Sequence, residues 1–125
     1  MKHDEFIKQV QNRARLTTRE EAEVATRAVL ETLTERLAGN EPYKVASQLP
    51  QELAAYLKDT ADVETKYTLD EFLTMVGRRE SVDLSQANLH SRVVMEVLEE
   101  AISAGEVKDF RTQLPPEYDS LFTKS

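Results

Sequence analysis

The sequence predicts an all-α protein: two sequence-similar helical units, each a long helix with three shorter ones, packed about a pseudo-twofold axis as one compact domain. Three observations carry that expectation. The chain is written twice, because residues 4–14 (DEFIKQVQNRA) return at 70–80 as DEFLTMVGRRE, and residues 48–57 (QLPQELAAYL) return at 113–122 as QLPPEYDSLF. Apolar residues recur at spacings of three and four, and no alternation of β-branched or aromatic residues lasts long enough for a sheet. Only three glycines and four prolines interrupt 125 residues.

Each element has a local reason. Asp4 is placed to cap a first helix whose stripe is Phe6, Ile7, Val10 and Ala14. Thr18 and Glu21 make a T-x-x-E capping box for the first long helix, which runs through Ala22, Ala25, Val29, Leu30, Leu33 and Leu37. Gly39 reads as its stop. Asn40 or Glu41, with Pro42 in the first turn, restarts a short helix through Tyr43, Val45 and Ala46. Leu49 precedes Pro50 and is pushed off the α region, so a turn falls there and a further helix opens, facing Leu53, Tyr56 and Leu57 inward.

The second copy follows the same punctuation. Thr68 and Glu71 form a second capping box ahead of Phe72, Leu73 and Val76. Asp83 or Ser85 caps the second long helix, through Ala87, Val94, Met95, Leu98 and Ile102, with Gly105 as its stop. Short helices at 106–113 and 116–122 close the chain. The repeat thus spans 4–58 and 69–122 within a single domain 1–125, joined by a linker at 59–68 that lacks apolar periodicity. The alignment offset falls by one between the first and second helices, a change that loop closure absorbs at little cost. Two copies are too few for a solenoid.

Composition narrows the function classes. No run approaches the ~20 apolar residues that span a bilayer, and MKHDEFIKQV has no apolar signal region, so no membrane association and a cytoplasmic location are expected. The absence of cysteine removes disulfides, thiolate chemistry and cysteine-held metal sites. A net charge of -7 repels phosphate, and the one dense basic patch, Arg13, Arg15 and Arg19, is answered by Glu20, Glu21 and Glu23, so nucleic acid is not an expected partner.

Most distinctive polar residues have a partner in the other copy: Arg13 with Arg79, Arg27 with Arg92, Gln48 with Gln113, Glu52 with Glu117. Duplication favours a folding role, since a catalytic group is seldom needed twice. Arg13 and Arg79 end the buried stripes of their helices and must find acceptors, such as helix-end carbonyls or a long-helix carboxylate, so they read as staples holding each half together. In Q-L-P-x-E, Leu anchors the turn, Pro sets φ, Glu favours the next helix's first turn, and Gln reaches unpaired backbone groups. His90 breaks the symmetry. It aligns with Ala25 on the apolar stripe, so it should point inward as a hydrogen-bonded residue, and proton transfer there would need an acid within reach. The candidate polar site is therefore Arg13, Arg79 and His90.

There is no nucleotide-binding glycine loop, no G-x-S-x-G and no EF-hand loop, and neither histidine follows a glutamate by three as a di-iron bundle wants. No catalytic, cofactor or metal residue is assigned, and the expected function is a non-catalytic binding or protein-interaction module. The alternative is a small-ligand-binding protein or enzyme using a cleft between the halves. Val24, opposite the long helix's stripe, hints at a protein partner or self-association.

The pattern of Phe6, Val10 and Arg13; Ala22, Arg27, Ala28, Val29 and Leu30; Gly39 and Glu41; and Gln48, Leu49, Pro50 and Glu52 resembles a family of small bacterial proteins, domain of unknown function 2267. The second copy is looser, with Val93, Val94 and Met95 in place of Ala-Val-Leu. The resemblance covers nearly the whole chain. It implies an all-helical, internally duplicated protein and brings no activity and no site residues with it.

Overall fold

The computed structural model describes residues 1–58 and 65–122. Along them run α1 (His3–Arg13), α2 (Arg19–Arg36), α3 (Glu41–Ala46), α4 (Gln51–Lys58), α5 (Leu69–Glu80), α6 (Leu84–Ala101), α7 (Ala104–Thr112) and a 3₁₀ helix (Pro116–Leu121). No strand occurs among the described residues. Of the expected linker, residues 59–64 lie outside the described residues. Residues 65–68 are non-helical and tied down: the Thr65 N–H donates to the Glu35 carbonyl, and the Tyr67 carbonyl accepts from Arg36 and from the Tyr118 hydroxyl.

Both T-x-x-E boxes form completely, with Thr18 and Thr68 accepting from the N–H of Glu21 and Glu71 and each glutamate reaching back. Asp83 caps α6 by accepting from the Gln86 N–H. Three expectations are corrected. Asp4 lies in the first turn of α1, where it favours the helix dipole, and Lys2 precedes it without a side-chain cap. Gly39 adopts a left-handed φ of 61°, but α2 has already ended at Arg36, with extended Leu37 as its C-cap. Gly105 sits in the first turn of α7; α6 ends four residues earlier, at Ala101, and Ser103 caps the new helix.

The core is a four-helix arrangement. The long helices α2 and α6 pack on each other, and α1 and α5 each pack against both of them. Phe6, Ile7, Val10, Leu30, Leu33, Phe72, Val76, Val94, Met95 and Leu98 are sealed between these helices. The remaining helices close the far end: α4 packs on α2, α3 on α4 and α7, and the 3₁₀ helix on α6. Gly77 permits the tight return from α5 to α6, because a Cβ there would meet the Val82 carbonyl at 2.9 Å.

Contacts between the halves are reciprocal at aligned positions. The Gln48 side chain accepts from the Ser103 N–H beyond α6, and Gln113 accepts from the Ala38 N–H beyond α2. Each glutamine of the Q-L-P-x-E turn therefore satisfies a backbone donor just past the long helix of the other half. The two left-handed non-glycine residues among the described ones, Arg15 (φ 56°) and Ser81 (φ 61°), also occupy matching loops.

Candidate functional site

The loops after α1 and α5, with the first turns of α2 and α6, enclose a cleft of about 460 Å³ between the halves. Leu16, Val24, Val82 and Leu89 supply its apolar surface, and Arg15, Thr17, Glu20, Glu21 and Gln86 its polar surface. Val24 and Leu89 are the most open of the apolar group, 47% and 44% exposed. Glu80 and His90 also line it, joined by a contact of 2.6 Å from the Glu80 carboxylate to His90 Nδ1.

This pair is nearly sealed, with side-chain exposures of 6% for His90 and 4% for Glu80. A carboxylate only accepts, so with Glu80 ionised the proton of the neutral ring sits on Nδ1 and Nε2 carries the lone pair. No other side chain among the described residues bonds the ring. The second Glu80 oxygen, Oε1, is buried without a hydrogen-bond partner. Buried carboxylate oxygens are normally satisfied, and an orphan in a cleft wall suits a ligand or an ordered water.

The sequence carries a signal for Glu80 as well as for His90. In the repeat, Glu80 aligns with Ala14 and His90 with Ala25, both buried alanines of the first half. Two deviations from the repeat meet in one hydrogen bond.

The other two candidates lie elsewhere. Arg13 reaches across to α6, with Nη1 at 2.6 Å from Glu96 and 2.7 Å from Glu100, while Nη2 bonds the other Glu100 oxygen at 2.9 Å. Arg79 reaches across to α2, 2.8 Å from Glu35 and 2.8 Å from the Thr32 hydroxyl. Each arginine thus joins its helix to the long helix of the other half, which corrects the expectation of a staple within each half. Burial works against the Arg79 charge, yet Glu35 outweighs it and holds the guanidinium above its ordinary range. Neither arginine is among the described residues lining the cleft, so the three candidates do not converge; His90 alone faces it.

A second polar cluster lies beyond the other ends of the long helices. Ligand atoms of Glu41, Glu106 and Asp109 fall within 4.8 Å of one another where α3 meets α7. Burial and the neighbouring Glu106 push the Glu41 carboxyl up to about 7.

Fold and cleft together define a duplicated-looking helical protein whose interior is closed by cross-half ion pairs and whose one buried acid–imidazole pair opens on a groove. Residues 3–121 match the family model for the uncharacterized conserved proteins DUF2267, and the chain belongs to that family. No curated protein matches it. No helix among the described residues is long and apolar enough to cross a membrane.

Proposed function

We propose that this protein is a non-catalytic binding module whose ligand site is the cleft at the N-terminal ends of α2 and α6. One observation carries the reading: a buried Glu80–His90 pair, replacing two alanines of the other copy, is set into the wall of that cleft. A volume of about 460 Å³ suits a small molecule or an inserted side chain. Leu16, Val24, Val82 and Leu89 would hold an apolar body, and His90 Nε2 would read one polar group on it. Glu20, Glu21 and Glu80 outnumber Arg15 among the charged lining residues, which favours a neutral or cationic ligand and disfavours phosphates.

The enzyme alternative draws on the same pair, since an imidazole oriented by a carboxylate is a competent general base. Among the described residues lining the cleft, Thr17 bears the only side-chain hydroxyl and shows no bond to His90, so binding is the stronger reading. A screen of small apolar amines and amides, followed by backbone amide NMR, tests it. Ligands should shift Val24, Leu89 and His90 together and lose affinity in the Glu80→Ala/His90→Ala double variant. Hits that map elsewhere, or that bind the double variant equally well, would refute the proposal.

A further inference from the structure

Residues that line the cleft come in aligned pairs. Leu16 aligns with Val82, Val24 with Leu89 and Glu21 with Gln86, and both members of each pair line the cavity. The backbone keeps the same register: the Leu16 N–H donates to the Gln11 carbonyl, and the Val82 N–H to the Gly77 carbonyl, at matching steps of the two loops. The apolar lining is therefore shared between the copies. One polar group breaks the pairing, because Ala14 lines the cleft from the first copy and Glu80 takes the aligned position in the second.

Glu80 also carries an unmet need. Its side chain is 4% exposed, Oε2 is taken by His90 Nδ1, and Oε1 has no hydrogen-bond partner. With the ring neutral, the pair bears one negative charge and offers only acceptors, Oε1 and ring Nε2. A buried carboxylate charge without a cation is costly. Arg15 is the one cationic side chain among the described lining residues; it is exposed and forms no ion pair with Glu80. Glu20 and Glu21 add negative potential at the cleft. A water would meet the hydrogen bond at Oε1 but leave the charge unbalanced. An ammonium does both, through an N–H···O bond of about 2.7–2.9 Å.

On the reading that the cleft is the ligand site, we infer that its ligand is an alkylammonium. The aliphatic body lies between Leu16, Val24, Val82 and Leu89, and the protonated amine donates to Glu80 Oε1. Primary alkylamines are cations at neutral pH, as the lysine side chain is. A quaternary ammonium has the charge without the N–H, and an amide or alcohol has the donor without the charge.

Amide NMR and calorimetric titration of the whole protein at neutral pH, with hexylamine, hexanamide, hexan-1-ol and hexyltrimethylammonium in turn, test the ligand class. Hexylamine should shift residues 24, 80, 89 and 90 and bind at least ~10-fold more tightly than the other three, the worth of one charge-assisted hydrogen bond. Glu80→Gln keeps the side chain's size and removes its charge, so the amine-to-amide affinity ratio should fall to about 1. The Glu80→Ala/His90→Ala double variant should lose the preference as well, and it serves if Glu80→Gln does not fold. Tighter binding of Nα-acetyl-lysine methylamide than of hexylamine assigns a lysine of a partner chain, and the reverse a free amine; either order supports the ammonium class. Equal affinity for hexylamine and hexanamide at the cleft, or an amine preference that survives both variants, overturns the inference and leaves the cleft a binding site. Absence of binding by every probe, or shifts centred elsewhere, overturns both.

Discussion

Removing His90 should cost far more than removing His90 and Glu80 together. The two side chains are 6% and 4% exposed, so solvent screens their interaction little. His90→Ala leaves Glu80 buried with neither oxygen partnered, because Oε1 already has no partner. Breaking a buried pair by removing one member costs about 3–5 kcal/mol. Glu80→Ala leaves an imidazole that can remain neutral, and the loss is that of one charge-assisted hydrogen bond, about 1.5–3 kcal/mol. The double variant restores the residue types of the first half, where Ala14 and Ala25 are buried. It should cost only about 1–2 kcal/mol, since exchanging both partners for apolar groups removes the desolvation penalty with the bond. Urea unfolding followed by helical circular dichroism at neutral pH measures all four corners of the cycle. In a chain of 125 residues, His90→Ala should lower Tm by roughly 10–20 °C. If the double variant loses the sum of the single losses, or His90→Ala loses less than about 0.5 kcal/mol, the pair is not a buried, mutually dependent unit.

Arg79→Met should destabilise more than Arg13→Met, about 2–3 against about 1 kcal/mol in denaturant unfolding, because Glu35 is 11% exposed whereas Glu96 and Glu100 are 39% and 38% exposed; equal losses would contradict the difference in burial. Burial and the neighbouring Glu106 push the Glu41 carboxyl up to about 7 in the folded protein, against about 4.5 in the unfolded chain, so the native state binds the extra proton between those values and stability falls as pH rises from about 5 to about 7. Glu41→Gln should flatten that slope in melting curves and raise stability most above neutrality, by up to about 3 kcal/mol; a slope of opposite sign, or one that survives the substitution, would refute the assignment.

The helices were legible because each carries its own punctuation. Thr18–Glu21, Thr68–Glu71 and Asp83 cap helices through contacts three residues apart, so local sequence suffices. Gly39 and Gly105 mislead for a related reason: a glycine near a helix end reads as the stop, whereas the chain leaves each long helix in an extended conformation before reaching it. Partners across the halves were harder to see. Arg13 advertised a need for acceptors, but Glu96 and Glu100 lie more than 80 residues away, and only the packing of α1 on α6 brings them together. His90 was visible as a departure from the repeat. Glu80 was an equal departure, hidden because an acidic residue at a helix end reads as ordinary surface charge.

The exchange of contacts between the halves also sets a schedule for synthesis. When the ribosome has delivered residues 1–58, Arg13 still lacks Glu96 and Glu100, and the Ala38 N–H still lacks Gln113. Tyr118, whose ring packs on Phe72 and whose hydroxyl bonds the Tyr67 carbonyl, arrives later still. On its own the first half therefore leaves the Arg13 guanidinium and the Ala38 N–H without the acceptors that the second half supplies, and residues 113–118 complete the set.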